Sequence, residues 1–272
     1  MIHVIANPSA GKKGTKSNLD AFVDILKGRN VEYTVYESPV KGDAKRHAKE
    51  LSATGSEVKD IVVIGGDGTL HEVLNGIEDF SACRIGLIPS GTGNDFAAAA
   101  GIPEDVKKAT EIILDGEAKP TDYLNVGNVR CMNVAGLGMD VDVLVRYQKC
   151  KKRTKSAYLK SLIKSVLHFK DYEITVEVGE KREEHKAFIA TACNGRQFGG
   201  GISICPVSVI DDGQIDVVVI EGMKFFKIIG AFVQLMKGKI LENKRAQHFL
   251  CEKVRFVPKK PCTVQLDGEL YD

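Results

Sequence analysis

Hydrophobic positions in residues 1–120 alternate between two periods. Short apolar runs of strand length, such as 61–64, precede segments whose apolar residues fall at helical spacing, as they do in 16–30. Strands that alternate with helices predict a mostly parallel sheet that is covered by helices on both faces. Because such sheets bind ligands at the carboxyl ends of their strands, we expect the chemistry at that edge.

The pattern changes from residue 121 onward. Segments such as 172–195 and 213–222 are strand-like and bounded by turn residues, with fewer helical stretches between them. The stretch 116–123 contains a proline and a charged lead-in, which is typical of a domain boundary. We therefore predict an α/β domain over 1–120 and a β-rich domain over 121–272.

Composition narrows the classes of function. Apolar residues make up 43% and charged residues 27%, as in an ordinary globular protein, and the net charge of +2 does not favour a nucleic-acid partner. The seven cysteines form no C-x-x-C pair, which predicts reduced cytoplasmic thiols and neither a disulfide framework nor a zinc site. No apolar stretch approaches the roughly 20 residues that span a bilayer, so we expect a soluble cytoplasmic protein.

Three predicted strand ends carry glycine-rich loops, which read "NPSAGKKG" (7–14), "GGDGT" (65–69) and "PSGTGNDF" (89–96). The first lacks two residues of a phosphate-binding P-loop, because Ala6 and Lys13 stand where Gly and Ser or Thr are required. Glycine nevertheless lets the backbone approach a ligand, and exposed N–H groups at the start of a helix attract anions. Three such loops on one edge of a sheet predict a site for nucleotide polyphosphate.

Asp67 is unusual in such a site, because phosphate repels a carboxylate. It could hold Mg²⁺ or accept a proton from an attacking hydroxyl. The alternative is that Asp67 only caps the following helix, as Asp often does. The three matching loops favour the functional interpretation.

Together, "GGDGTLHEV", "IPSGTGNDFA", "NPSAGKKG" and "LDGE" resemble the catalytic family of the diacylglycerol kinases, which is related to the sphingosine kinases. The resemblance covers nearly the whole chain in the expected order. It implies a phosphofructokinase-like parallel α/β nucleotide domain, a β-sandwich-like second domain, and an active-site cleft between them. It also implies an ATP- and magnesium-dependent kinase that acts on a lipid hydroxyl, with diacylglycerol the leading acceptor and phosphatidic acid the product.

The resemblance also implies roles for individual residues. Glu269 matches the proton acceptor, with Asp67 as its competitor, and Asp212 matches an acid that holds Mg²⁺ with the carbonyls of Val209 and Gln214. His71 stands where relatives often have asparagine. The residues expected to line ATP are Asn7, Pro8, Ser9, Ala10, Gly11, Lys12, Ser38, Gly65, Gly66, Asp67, Gly68, Thr69, Leu70, His71 and Thr92.

Two other functions stay open at this point. NAD kinases share G-G-D-G-T, but they need an acid after the asparagine of the second half, where this chain has Gly195 after Asn194. A catalytically silent regulator that binds nucleotide or lipid is the second alternative. It would be expected to have lost an acid, whereas Asp67, Asp212 and Glu269 are all present.

The expected partners are ATP and a lipid substrate at the inner face of the membrane, with no nucleic acid, and a homodimer stays open. The basic, amphipathic segment 149–172 either lies on anionic headgroups or turns its apolar face to the protein core. A second apolar helix, predicted over 223–239, is a rival for the lipid contact.

Overall fold

The computed structural model describes residues 1–11, 14–53, 58–150, 155–168 and 171–272. Lys12 and residues 151–154, which include Lys151, Lys152 and Arg153, lie outside the described residues. The chain divides into two compact units. The first unit comprises Met1–Thr121 and Gly127–Arg130, and the second comprises Asp122–Val126 and Cys131–Asp272.

Strands and helices alternate in the first unit. Its strands are β1 (Ile2–Ala6), β2 (Tyr33–Glu37), β3 (Lys59–Gly65) and β4 (Cys83–Pro89). Its helices are α1 (Gly14–Gly28), α2 (Asp43–Ser52), α3 (Asp67–Leu74), α4 (Asp95–Ala99) and α5 (Val106–Asp115), with a 3₁₀ turn at Phe80–Ala82.

The sheet of the first unit has the order β2-β1-β3-β4, and all its neighbouring strands are parallel. Every residue of β1 is buried, as is the apolar run of β3, because helices cover both faces. Phe22 and Leu26 of α1 are completely buried against this sheet. The predicted parallel α/β architecture is confirmed, and the carboxyl ends of all four strands meet at one edge.

The rest of the chain is richer in strands. These are β5 (Leu124–Val126), β6 (Val129–Cys131), β7 (Val134–Gly138), β8 (Tyr172–Val178), β9 (Lys181–Cys193), β10 (Ile215–Glu221), β11 (Ala246–Cys251), β12 (Arg255–Pro258), β13 (Val264–Leu266) and β14 (Glu269–Tyr271). The helices are α6 (Met139–Gln148), α7 (Lys155–His168) and α8 (Phe225–Met236), with a 3₁₀ turn at Ile240–Glu242.

An antiparallel sheet organises the second unit, as predicted. Its main path runs β11-β10-β9-β7-β13-β14, and β8 pairs with both β9 and β12. Alternate residues of β10 enter different cores, so that Val218 and Ile220 pack beneath α8 while Val217 and Val219 pack against β8. The sequence pattern did not predict α6, which directly follows β7.

Candidate active site

Three loops lie side by side at the carboxyl edge of the sheet in the first unit. Beyond β1, the Asn7 N–H donates to the Ile64 carbonyl over 3.1 Å. Beyond β4, the Ser90 N–H donates to the Gly65 carbonyl over 2.8 Å. Backbone hydrogen bonding thus continues past the strand ends and fixes the start of each loop.

Glycine is required where these loops touch. A Cβ atom on Gly66 would lie 2.8 Å from the Cα atom of Gly91, so the two backbones are in direct contact. Gly11 has a φ of +68°, and a Cβ atom there would collide with the Ser90 carbonyl oxygen. The three loops therefore present a surface made mainly of backbone, which suits the close approach of an anionic ligand.

The carboxylate of Asp67 connects two of these loops. Asp67 lies in the first turn of α3, whose N-cap is Gly66, so the alternative interpretation, in which Asp67 only caps its own helix, does not hold. Its Oδ1 atom instead accepts a hydrogen bond of 3.1 Å from the Phe96 N–H in the first turn of α4. The carboxylate is thereby held at the sheet edge, half-buried, by a neighbouring helix.

Side chains hold the first loop in place. Asn7 Nδ2 donates to Thr69 Oγ1 over 3.2 Å, and Asn7 Oδ1 accepts from the Ser9 N–H over 2.9 Å. The Ala10 N–H donates to the Asn7 carbonyl over 3.0 Å. One asparagine therefore fixes both the turn of its own loop and its distance from the Asp67-containing loop.

An open cavity of about 260 Å³ lies where the first and third loops meet α1. Asn18 Nδ2 donates to Ser90 Oγ over 2.8 Å in its wall. Asn94, at a φ of +53°, accepts from the Gly91 N–H over 2.8 Å and donates to Glu104 over 3.3 Å. Sequence reasoning identified none of Asn18, Asn94 and Glu104, although the position of Asn94 in "GTGN" was an available signal. The cavity is lined by Gly11, Asn18, Pro89, Ser90, Gly91, Asn94 and Glu104.

The predicted ATP-lining residues differ in exposure. One group is buried and shapes the edge from beneath, and a second group is exposed. Half-buried residues make up a third group: Asn7, Ala10, Gly66 and Asp67. Ser38 shows how the first group acts, because its N–H donates to the Ala6 carbonyl over 2.8 Å and fixes the exit of β2. The buried group includes Ser38, Thr69, Leu70 and His71. The exposed group includes Pro8, Ser9, Gly11, Gly68 and Thr92.

Glu269, in the second unit, follows a tight hairpin turn between β13 and β14. Asp267 and Gly268 form this turn with φ values of +53° and +85°, which is the geometry that the Asp-Gly pair favours. The Asp267 carboxylate accepts from the N–H groups of Met132 and Asn133 over 2.7 and 2.8 Å. Asp267 thus anchors the hairpin that presents Glu269, a role that sequence reasoning missed.

Two carboxylates accept hydrogen bonds from the turn at Asp212. Asp212 Oδ1 accepts from the Gln214 N–H over 3.0 Å, and Asp122 Oδ2 accepts from the Gly213 N–H over 2.7 Å. The predicted donors, a carboxylate and the carbonyls of Val209 and Gln214, are all hard oxygen ligands. In donor type they fit Mg²⁺.

Asn194 connects these two features of the second unit. Its Nδ2 atom donates to the carbonyls of Asp122 and Met132, both over 2.8 Å. The turn that contains Asp212 and the hairpin that presents Glu269 therefore belong to one hydrogen-bond network. Gly195 follows Asn194, and a Cβ atom there would overlap Asn133 Oδ1. An acidic side chain at this position would force that packing apart.

Asp140 is a further acid that sequence reasoning did not single out, although it lies in the quoted "NVAGLGMDVDV". It lies in the first turn of α6 and is 4% exposed. Burial raises the pKa of Asp140 to about 6, because it disfavours the charged form. The Val141 N–H and the Gln265 amide oppose part of that rise. Among the described residues, no group makes a hydrogen bond of good geometry to either carboxylate oxygen. A buried acid with a raised pKa is a marker of functional sites.

Comparison with known proteins matches both halves of the chain. Residues 1–126 match the model of the diacylglycerol kinase catalytic domain, and residues 133–272 match the YegS C-terminal NAD kinase beta sandwich-like domain. The fold expected for the second half is thereby confirmed as β-sandwich-like.

Curated relatives align along nearly the whole chain. The "Diacylglycerol kinase" of Bacillus subtilis (strain 168) is 28% identical over 98% of this chain and 88% of its own length. The "Probable lipid kinase YegS-like" protein of Xanthomonas campestris pv. campestris (strain 8004) is 33% identical over 95% of this chain and 87% of its own.

A crystal structure of a diacylglycerol kinase from Bacillus anthracis str. Sterne superposes with a TM-score of 0.76 at 22% identity. It covers 98% of this chain and 89% of that chain, which establishes the common fold. Within the described residues, no helix is both long and apolar enough to cross a membrane.

Proposed function

The chain belongs to the family of diacylglycerol kinases and YegS-like lipid kinases, and we propose that it transfers the γ-phosphoryl group of ATP to the hydroxyl of diacylglycerol. The product is phosphatidic acid. The observation that carries this proposal is the single edge at which three glycine-rich loops converge around Asp67.

The loops of the first unit are suited to the phosphates of ATP. Gly66 and Gly91 let two of the loops approach until their backbones touch, and the exposed residues Ser9 and Thr92 add hydroxyl donors. Lys12 lies outside the described residues, and in sequence it adds a positive charge to the first loop. Phosphoryl transfer depends on positioning and on neutralising charge, which backbone N–H groups and lysine provide.

Two carboxylates have the remaining roles, one toward the metal and one toward the transferred proton. Asp67, fixed by the Phe96 N–H, would hold the Mg²⁺ that accompanies ATP, and Glu269 accepts the proton of the attacking hydroxyl. The anchoring of the Glu269 hairpin by Asp267 supports this assignment, because a general base must be held in place. Magnesium bound with ATP neutralises phosphate charge, and Asp212 with the carbonyls of Val209 and Gln214 would hold a second, structural ion.

Phosphorylation of NAD is disfavoured by the packing around Asn194. The acid that would hold a ribose hydroxyl corresponds to Gly195, where Asn133 Oδ1 occupies the space of a Cβ atom. The second half resembles NAD kinase in fold, as its family description states, but it lacks this recognition element.

The outer faces of α7 and α8 support access to a lipid substrate. We call their apolar part the outer surface: Ile163 and Leu167 on α7, with Ile229, Val233 and Met236 on α8. Each of these side chains is between 45% and 56% exposed, and the two helices are in contact. Ser161 and Ser165 face the protein instead, and Val166 packs against the core there, so only part of the apolar side of α7 is exposed.

Positive charge surrounds the outer surface. Lys160 and Lys164 are exposed on α7, and Lys224 and Lys227 are exposed at the start of α8. Neither 143–170 nor 222–241 contains an acidic residue. Exposed apolar residues among lysines suit the headgroups of an anionic membrane, so this surface docks the enzyme at the inner leaflet that holds its substrate.

The proposal is tested by labelled-phosphate transfer from ATP, with Mg²⁺, to a panel of acceptors in mixed vesicles. The panel contains diacylglycerol, monoacylglycerol, ceramide, a sphingoid base and undecaprenol, with NAD as the soluble control. We expect diacylglycerol to give the highest kcat/KM and NAD to give no product. Transfer to NAD alone, or to no acceptor in the presence of bound ATP, would refute the proposal in favour of a NAD kinase or a silent regulator.

A further inference from the structure

Three side chains of different chemistry meet in the second unit, and the proposed phosphoryl transfer uses none of them. Cys205 Sγ, a carboxylate oxygen of Asp216 and a ring nitrogen of His248 all lie within 4.8 Å of one another. They come from the loop after β9, from β10 and from β11. The described part of the chain contains one such group of three metal-binding side chains.

Strand register brings Asp216 and His248 together. Asp216 lies opposite Leu250 in the antiparallel pair of β10 and β11, so His248 is its diagonal neighbour on the same face. His248 Nε2 and Asp216 Oδ1 are 2.6 Å apart. This pairing follows from the sheet itself and does not require a ligand.

The loop after β9 adds the thiol. The Cys205 N–H donates to the Arg196 carbonyl over 3.1 Å, and Arg196 Nε donates to the Ser208 carbonyl over 2.9 Å, so the loop is closed on itself around Cys205. Cys205 is fully buried and Asp216 is 3% exposed, whereas His248 lies on the solvent side. Both a fixed geometry and an entry path are therefore present.

The donor set points to a particular metal. A thiolate, an imidazole and a carboxylate together favour Zn²⁺, while Mg²⁺ and Ca²⁺ favour oxygen alone. Bond lengths of about 2.0–2.3 Å place the ligands of tetrahedral zinc roughly 3.3–3.8 Å apart. Zinc would therefore move His248 Nε2 and Asp216 Oδ1 apart from 2.6 Å, and the upper limit of 4.8 Å for the three ligand atoms leaves room for this change.

We propose that Cys205, Asp216 and His248 bind one Zn²⁺ ion, with water as the fourth ligand. Binding transfers the Cys205 proton to solvent and replaces the contact between His248 and Asp216 by coordination to the metal. The ion then fastens the loop after β9 to β10 and β11. The wide sequence separation of the three ligands hides this site from a search for short cysteine motifs, which is why the sequence predicted no zinc site.

Cobalt substitution tests this proposal on the full chain without ATP or lipid, so its result is independent of kinase activity. One equivalent of Co²⁺ added to metal-free protein is expected to give a thiolate-to-cobalt charge-transfer band and tetrahedral ligand-field bands. Zn²⁺ should abolish both bands at one equivalent, and Mg²⁺ should abolish neither. Zn²⁺ should also raise the Tm of the protein, because it binds only the folded state.

Variants identify the ligands. Cys205→Ser should lose the charge-transfer band, and His248→Gln should weaken Zn²⁺ binding by more than the roughly 10- to 100-fold that loss of an outer-shell partner costs. His248 is exposed, so its replacement keeps the proposal testable if Cys205→Ser does not fold. Cys262→Ser, at a half-buried thiol elsewhere in the unit, is the matched control and should leave the spectrum unchanged. Absence of the band in the wild type, or its survival in Cys205→Ser, would overturn the proposal.

Discussion

Replacing Asp140 with asparagine removes a buried titratable group while keeping its size. In the wild type this carboxyl has a pKa of about 6, against an ordinary value of 3.8. Between these two pH values the folded protein holds a proton that the unfolded chain does not. The stabilisation from the protonated form is therefore fully present below about pH 4 and is lost as the pH rises through about 6.

The size of this effect follows from the shift. At about 1.4 kcal/mol per pKa unit, ionising Asp140 in its buried setting lowers the free energy of unfolding by about 3 kcal/mol at neutral pH. Asp140→Asn carries no charge at any pH. It should therefore be more stable than the wild type by up to about 3 kcal/mol near pH 7, with the difference vanishing near pH 4.

Hydrogen exchange measures the stability difference between wild type and Asp140→Asn within the second unit, because peptides from β7 and β9 report on that unit alone. Wild type and variant are compared at the same pH, so intrinsic exchange rates cancel. Asp142→Asn, in the same helix, is the matched control and should not reproduce the pH-dependent gain. A constant difference between wild type and Asp140→Asn from about pH 4 to about pH 8 would show that the reasoning about Asp140 is wrong.

Three more substitutions test other parts of the structure. Gly91→Ala should lower the free energy of unfolding in urea by about 1–3 kcal/mol, because its Cβ atom would press on the facing glycine backbone. Gly28→Ala has open space and should be neutral. Equal effects of the two substitutions would contradict the close approach of the loops. Asp267→Asn keeps the turn conformation but loses the charged acceptor. The free energy of unfolding should therefore fall by about 2 kcal/mol, which lowers the urea midpoint. An unchanged midpoint would contradict the anchoring role of Asp267. Ile229→Glu should reduce binding to anionic vesicles by roughly 10-fold or more in co-sedimentation. Ile112→Glu, at a similarly exposed position in the first unit, should not reduce it. Equal losses from both variants would exclude the outer surface as the membrane contact.

The sheet edge of the first unit was predictable from sequence for physical reasons. Buried parallel strands read as apolar runs, and glycines with an acid directly after such a run indicate a loop at the carboxyl end. The runs before Gly65 and Ser90 both carry this signal. The polar residues around the loops, such as Asn18 and Glu104, were not predictable because distant segments of the chain bring them to the edge.

The second unit was less predictable, because its important contacts are set by tertiary packing. No local sequence pattern identifies Asp267 as an anchor, because its partners at 132–134 are more than 130 residues earlier in the chain. Asp140 lies on a helix that the apolar pattern did not separate from the preceding strand. His248 and Asp216 meet only through strand register, which the sequence does not specify.

The most direct test of the central claim is labelled-phosphate transfer from ATP to diacylglycerol by the Asp67→Asn variant. Asparagine keeps an oxygen to accept the Phe96 N–H, so the substitution removes charge and leaves the loop contact in place. We predict that kcat falls by roughly 10²- to 10³-fold, as expected for the loss of one electrostatic contact in the transition state, while the Kd for ATP stays within a few-fold of the wild-type value. Asp115→Asn, at an exposed acid of the same unit, should have no effect. Wild-type turnover by Asp67→Asn would contradict the account.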